Sequence, residues 1–311
     1  MKVIYGIENI DEKFKNPCVA LGTFDGIHLG HQSVIKSAID KAKELNGTSI
    51  LFTFSPHPLK VITSSAGPKM INSKDEKEFL LEKLGVDILI FANFTVEFSD
   101  LHPEKFMKNV LKDILDVKEI FVGFNYTFGK DAIGTTDYMK ELSEKYDIKL
   151  NVVEPMKIED EIVSSTLIRE YIKNGDLKKA EKLLGYPVMI SGKIVQGKKI
   201  GRKLGFPTAN LKIVNKAYPP YGVYGVKIIF DSEKDKSYYG IMNIGKNPTL
   251  KPGEHSIEVN IFDFDKNVYG EKIIIELMKF IRYEKKFETV ENLIKEIKND
   301  IKIWKEWLEC H

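Results

Sequence analysis

Hydrophobic positions along this chain follow two different periods. Up to about residue 185, short apolar runs alternate with segments whose apolar residues recur every three or four positions. Residues 18–21, 48–54, 86–92, 119–122 and 148–153 read as strands. Residues 32–46 read as a helix closed by Gly47. Residues 73–84 read as another, with Phe79, Leu80, Lys83 and Leu84 at helical spacing, and 101–115 as a third, with Phe106, Val110 and Ile114 four apart. Strands alternating with helices predict an α/β, doubly wound parallel sheet, whose ligands bind beyond the C-terminal strand ends. After residue 187 the period changes. Residues 188–195, 223–230, 238–244, 257–262 and 272–280 read as strands separated by Gly, Pro, Asn and Asp, the pattern of an antiparallel barrel or sandwich. One helix closes the chain, with Val290, Leu293, Ile294, Ile297, Ile301, Trp304 and Leu308 on its apolar face and Thr289 as its N-cap. The boundary is expected at Gly185-Tyr186-Pro187, giving domains 1–185 and 186–311.

Composition narrows this picture. A chain of 311 residues is long enough for two cores. With 30% charged residues, 43% hydrophobic residues and a net charge of +2, it reads as a soluble globular protein with no call for nucleic-acid binding. Its two cysteines, Cys18 and Cys310, lie in a core strand and at the last residues, so no disulfide and a reducing compartment are expected. Residues 1–15 carry Glu8, Asp11 and Glu12 and no apolar core, so no signal peptide is expected. No apolar run approaches the ~18 residues of a membrane span. A cytoplasmic location and no protein partner are the expectation.

The chemistry concentrates at turns. Between the first apolar strand and the first helix lies Gly22-Thr23-Phe24-Asp25-Gly26-Ile27-His28-Leu29-Gly30-His31. Free N–H groups at a helix start favour an anion, glycines allow close approach, and imidazoles supply donors to a phosphate in transfer. The next strand ends in Thr53-Phe54-Ser55-Pro56-His57-Pro58, where two prolines direct the backbone out of the sheet; a structural turn accounts for them equally well. Another strand ends in Gly123-Phe124-Asn125-Tyr126. Ser164-Ser165-Thr166-Leu167-Ile168-Arg169 places hydroxyls at a helix start and a guanidinium one turn on, suited to the β- and γ-phosphates of a nucleotide. In the second half, 192–211 holds Gly192, Gly197, Gly201 and Gly205 with several cations and ends in Pro207-Thr208-Ala209-Asn210. That loop suits a polyphosphate but is not a P-loop. Thr208 and Asn210 offer two oxygens suitable for Mg2+ on ATP. Alternation puts Glu258 and Asn260 on one strand face, opposite Ile257, Val259 and Ile261; on pattern alone that face is a solvated one.

These motifs resemble those of the bacterial bifunctional riboflavin kinase/FAD synthetases. The 22–31 decamer is similar to that family's nucleotidylyltransferase signature, 164–169 to its S-S-T-x-I-R box, and 192–211 to its riboflavin kinase signature. Tyr269-Gly270 and 280–287 also match the kinase pattern. Residues 122–129 resemble the family's second box, where many members have Asp at the position of Asn125; Asn keeps the hydrogen-bonding oxygen and loses the charge. The resemblance implies an adenylyltransferase domain followed by a six-stranded Greek-key barrel with a terminal helix. It implies riboflavin, FMN, FAD and ATP as ligands, with Mg2+ on the ATP phosphates. It assigns His28 and His31 to the transferring phosphate, and Gly22, Phe24, Asp25, Gly26, Asn125, Ser164, Thr166 and Arg169 to ATP. In the second domain it assigns Gly192, Gly201, Thr208 and Asn210 to ATP and its metal, and Glu258 to the role of general base. Phe54, Pro56 and Arg282 are assigned to the flavin. Three alternatives stand beside this one: an enzyme with only the kinase active because of Asn125, a non-catalytic flavin sensor, and nucleotide transfer to another acceptor such as a phosphopantetheine or glycerol phosphate. Glu258, Thr208, His28 and His31 argue against the sensor, and the barrel against another acceptor.

Overall fold

The computed structural model describes residues 1–63, 66–197, 201, 204–212, 216–246 and 255–310. By internal packing the chain divides into two compact units, Met1–Ile168 and Arg169–His311. The division runs through the helix Ser165–Asn174, upstream of Gly185, which is the left-handed cap (φ 79°) of the next helix, Leu177–Leu184.

The first unit is built on six parallel strands: β1 (Lys2–Tyr5), β2 (Cys18–Leu21), β3 (Ser49–Ser55), β4 (Ile88–Asn93), β5 (Glu119–Gly123) and β6 (Lys149–Val153). Their order is β1-β4-β3-β2-β5-β6. The chain therefore winds outward from β2 on one side and from β5 on the other. The C-terminal ends of β2 and β5 form the switch point where ligands of such sheets bind. Every residue of β2 is buried, which explains its unbroken apolar run. The helix Leu29–Glu44 buries Val34, Ile35, Ala38, Ile39 and Ala42, one apolar stripe. Its C-terminal turn differs from expectation: Asn46, not Gly47, adopts the left-handed conformation (φ 47°), and Gly47 donates to the Ala42 carbonyl (2.7 Å). The helix Lys74–Leu84 begins with a capping box between Ser73 and Glu76.

Two expectations are corrected here. Residues 106–114 form a π-helix, continued by the Leu115 N–H bond to the Val110 carbonyl (3.1 Å). A four-residue spacing drifts off a single face on either winding, and Ile114 is the last residue of this helix. Phe106, Met107, Val110 and Leu111 are buried, and Ile114 is 41% exposed. β1 was not foreseen: four residues with only partial burial carry little period-2 signal.

The second unit is a closed six-stranded antiparallel barrel. Its strands are β9 (Met189–Val195), β10 (Ala209–Lys212), β11 (Gly222–Phe230), β12 (Tyr238–Lys246), β13 (His255–Ile261) and β14 (Lys272–Tyr283). The ring runs β10-β13-β12-β11-β14-β9, and β14 beside β11-β12-β13 makes a Greek key. A small hairpin in the first unit supplies β7 and β8 (Lys157–Ile158, Glu161–Ile162). β10 lies in the stretch expected as loop: Ala209 and Leu211 alternate with Asn210 and Lys212, but four residues are too short a run to mark a strand. The C-terminal helix Val290–Cys310 is capped by Thr289, whose Oγ1 accepts from the Asn292 N–H (3.2 Å). Trp304 is fully buried against Val223 and Ile241, with Ile297, Ile301, Trp307 and Leu308 packed around them; Val290, expected on the apolar face, is 52% exposed at the helix's first turn. Cys18 is buried and Cys310 exposed, both free thiols.

Gly225 on β11 faces the Trp304 ring so closely that a Cβ would overlap it. Gly225→Ala is expected to lower stability by about 1–3 kcal/mol through overpacking. Urea titration followed by tryptophan fluorescence measures this, since the chain's two tryptophans both lie in this helix.

Candidate active sites

The turn after β2 is irregular backbone held in a buried place, so each of its polar groups needs a partner. The Thr23 carbonyl accepts from Thr53 Oγ1 (3.0 Å) and from Lys77 Nζ (2.9 Å). The Asp25 carbonyl accepts from Ser165 Oγ (2.7 Å), and the Ile27 carbonyl from Gln32 Nε2 (2.9 Å). The Asp25 carboxylate, 2% exposed, accepts the N–H groups of Ile71 (2.9 Å) and Asn72 (3.4 Å). Phe24, φ 45° and 2% exposed, lies beneath Gly22 and meets His31 edge-on at 5.3 Å. Gly26 has φ 91°, and a Cβ there would sit 2.9 Å from Ile71. Phe24, Asp25 and Gly26 thus form the frame of the turn.

The two histidines are brought together. His28 is the helix N-cap, its Nδ1 accepting from the His31 N–H (3.2 Å), so its ring proton resides on Nε2. The rings stack with centroids 3.5 Å apart at 17°. His31 reaches the surface in part, but its Nδ1 is enclosed with no hydrogen-bond partner among the described residues. Burial, then His28, then the Lys77 ammonium hold its pKa well below 6.5. His31 therefore presents a neutral imidazole.

Ser164 and Ser165 divide the work at the next helix start. Ser164 Oγ caps the Leu167 N–H (3.3 Å), while Ser165 ties the helix start to the Asp25 carbonyl. Thr166 is exposed. Arg169 follows one turn on and is the first residue of the second unit. Asn125 is exposed just beyond β5, on the strand that neighbours β2. Phe54 at the end of β3 packs edge-on against Phe52, Phe94 and Phe98, and the exposed Pro56 follows a cis peptide.

One residue of this site was missed in the sequence. Lys77 is 4% exposed on the helix Lys74–Leu84, and burial brings its pKa down to about 8. Its position three and four residues before the buried Leu80 and Leu81 was the available signal.

In the barrel, β10 pairs with β13 so that Asn210 lies opposite Glu258. Thr208 Oγ1 donates to Glu258 Oε2 (3.3 Å), and Asn260 Nδ2 donates to the Pro207 carbonyl (2.8 Å). The alternation holds: Ile257, Val259 and Ile261 are buried, Glu258 and Asn260 half-buried. Gly197 and Gly201 form a cradle, since a Cβ on Gly197 would overlap the Asn210 amide and one on Gly201 would lie 3.1 Å from Thr208 Oγ1. The loop cations Lys198, Lys199, Arg202 and Lys203 lie outside the described residues. Gly192 sits in β9, where a Cβ would be 2.8 Å from the Lys212 carbonyl, so strand packing itself requires glycine there. Arg282 holds Asp300 of the C-terminal helix through Nε (2.9 Å) and Nη2 (2.9 Å), and donates to the Tyr283 carbonyl through Nη1. Among the described residues no three His, Cys, Asp or Glu side chains gather as a metal cluster. The hard-oxygen pair in the barrel does fit Mg2+: with its proton turned to Glu258, Thr208 keeps its lone pairs for a cation beside Asn210.

Comparison with known proteins bears on both sites. A family model described as FAD synthetase matches residues 10–167, and one described as riboflavin kinase matches residues 184–308. The chain is 40% identical to the Bacillus subtilis bifunctional riboflavin kinase/FMN adenylyltransferase, covering 94% of this chain and 92% of that one. It is 36% identical to the protein of the same name from Buchnera aphidicola subsp. Schizaphis graminum, over 99% of each. This chain belongs to the bifunctional riboflavin kinase/FMN adenylyltransferase family. The order of its two family segments matches the order of its sheet and barrel. A crystal structure from Streptococcus pneumoniae, described as a macrolide-efflux protein, matches this family member with a TM-score of 0.82 and 32% identity, covering 99% of this chain and 100% of that one. Among the described residues no helix is long and apolar enough to cross a membrane.

The buried Asp25 carboxylate closes two backbone amides. Asp25→Ala leaves both without that acceptor and is expected to cost about 1–3 kcal/mol. Denaturation followed by far-UV circular dichroism measures the loss.

Proposed function

We propose that this chain makes FMN from riboflavin in domain 186–311 and FAD from FMN in domain 1–185, using one ATP for each step, in the cytoplasm. The observation that carries the reading is the pairing of Thr208 with Glu258 beside Asn210 in one unit, and of His28 with His31 at the sheet switch point in the other.

In the barrel, Glu258 accepts the proton of the riboflavin 5′-hydroxyl as that oxygen attacks the γ-phosphorus of ATP and ADP leaves. Thr208 orients the carboxylate through its hydroxyl. Thr208 and Asn210 hold Mg2+, which neutralises charge on the ATP phosphates when bound. Gly201 lets the loop approach the nucleotide, and Gly192 permits the close strand contact that places it. Arg282 acts on the flavin through the segment it ties to the terminal helix.

In domain 1–185 the FMN phosphate attacks the α-phosphorus of ATP in line, and pyrophosphate leaves. The nucleophile belongs to the substrate, so the protein contributes position and charge stabilisation. His28, with its proton on Nε2, donates to the transferring phosphate, and His31 holds His28 in place by stacking and through its backbone N–H. Ser164, Thr166 and Arg169 serve the β- and γ-phosphates, and Asn125 contributes its amide at the strand end beside β2. Gly22, Phe24, Asp25 and Gly26 shape the turn around ATP. Phe54 and Pro56 line the flavin side.

Incubation of the chain with riboflavin, ATP and Mg2+, followed by chromatography of the flavins, should show FMN and then FAD. Glu258→Gln should slow FMN formation by ~10²–10⁴ and leave conversion of supplied FMN to FAD intact. His28→Ala should cost ~10²–10³ in FAD formation with FMN formation unchanged. FMN without FAD from the wild-type chain would remove the adenylyl transfer reading, and no conversion at all would remove both.

A further inference from the structure

Lys77 is a buried cation beside the histidine pair, and none of the roles above uses it. It projects from the helix Lys74–Leu84 and is 4% exposed. Its acceptor among the described residues is the Thr23 carbonyl at 2.9 Å, in the middle of the phosphate-handling turn. Burying a lysine opposes its charged form and costs stability, which the contact with the Thr23 carbonyl offsets only in part. Two connections show what the cation does here. Thr23 is shared with Thr53 Oγ1, so Lys77 clamps the turn between β2 and the His28 cap. The ammonium also acts on His31, whose Nδ1 is enclosed and without a partner.

We propose that Lys77 is a positioning residue of the adenylyl transfer site: its buried ammonium holds the Thr23 carbonyl, and with it the turn that carries His28, and acts on the His31 ring stacked there. The proposal rests on the adenylyl transfer reading above for its effect on rate, and on the buried Lys77–Thr23 contact for the clamp on the turn. The charged and titratable groups concerned are few. His31 faces His28 from the cap and Lys77 from the neighbouring helix; Lys77 faces Asp25 from the turn and Lys74 from its own helix. Asp25 favours the Lys77 cation, whereas burial and Lys74 oppose it, leaving its pKa at about 8. A cation near His31 lowers the imidazole pKa, and its removal raises it. A charged His31 stacked 3.5 Å from His28 would repel any proton gained there and disturb the pair. The reaction therefore requires His31 neutral and Lys77 charged, which bounds it on the acid side by His31 and on the alkaline side by Lys77.

The test uses the full chain with ¹³C-labelled histidine, the His31 signal being assigned among six histidines with His31→Gln. In the wild type His31 should stay neutral to well below 6.5. In Lys77→Met its midpoint should rise, because a nearby cation is removed, and the acid limb of the FMN-to-FAD reaction should rise with it. The kcat of that reaction should fall by about 10²-fold with the KM for ATP little changed, while riboflavin phosphorylation by the same chain keeps its rate. Lys77→Arg restores a cation, so it should return the His31 midpoint and carry activity past the alkaline limb expected in the wild type from loss of the Lys77 proton. An unmoved His31 midpoint in Lys77→Met overturns the proposal. So does a reduced kcat with the acid limb in place, which is what simple packing would give. Should Lys77→Met lose its far-UV circular dichroism, Lys77→Arg decides: an alkaline limb identical to wild type overturns the proposal. If the wild type makes no FAD, the adenylyl transfer reading fails, and the His31 midpoint still decides whether Lys77 controls that ring.

Discussion

An irregular loop buried at the end of a fully buried strand has to find a partner for each backbone carbonyl it carries. That constraint organises the first unit. β2 delivers the turn into the sheet's switch point, where neither helix nor ladder can satisfy it. Thr53 and Lys77 close the Thr23 carbonyl, Ser165 the Asp25 carbonyl and Gln32 the Ile27 carbonyl. These partners come from β3, from the helix Lys74–Leu84, from the start of the helix Ser165–Asn174 and from the helix that follows the turn itself. Segments far apart in sequence are thereby fastened to one loop. The loop in turn presents His28 and His31 at the helix N-terminus, where an anion is favoured.

The barrel solves a different problem with a simpler device. Closure of six strands leaves no sheet edge, and strand alternation separates the core from the face that carries Glu258. Ile257 and Val259 go inward to the core, and Glu258 is left between them on the other face, opposite Asn210 and within reach of Thr208. The carboxylate is therefore positioned by register: a slip of one residue would bury it and expose its apolar neighbours. Trp304 on Gly225 and the forked Arg282–Asp300 contact hold the terminal helix against this barrel.

Much of this was legible along the chain because it is local. The turn signature, the Pro207–Asn210 core, the period change near residue 187, the Thr289 cap and the inward face of β13 all depend on neighbours a few residues away. What escaped has a common physical origin. β10 alternates over only four residues, too few to mark a strand, and β1 is too little buried. The π-helix at 106–114 is a choice of winding that a four-residue spacing does not reveal. Phe24 and Asp25, which look like ligand groups in a phosphate turn, are buried in its frame, and Ser165 is a tether to that frame where Ser164 is a cap.

The sequence by itself determined two folding units and their order, a doubly wound parallel sheet in the first and an antiparallel barrel or sandwich in the second, because strand and helix periods and turn composition are short-range properties. Only the tertiary structure decided that β2 and β5 meet at the switch point, that Asn210 faces Glu258, and that the turn's carbonyls are answered by Thr53, Lys77 and Ser165. Those pairings join residues tens of positions apart. They follow from how buried backbone polar groups are satisfied once the sheets close, which no local period encodes.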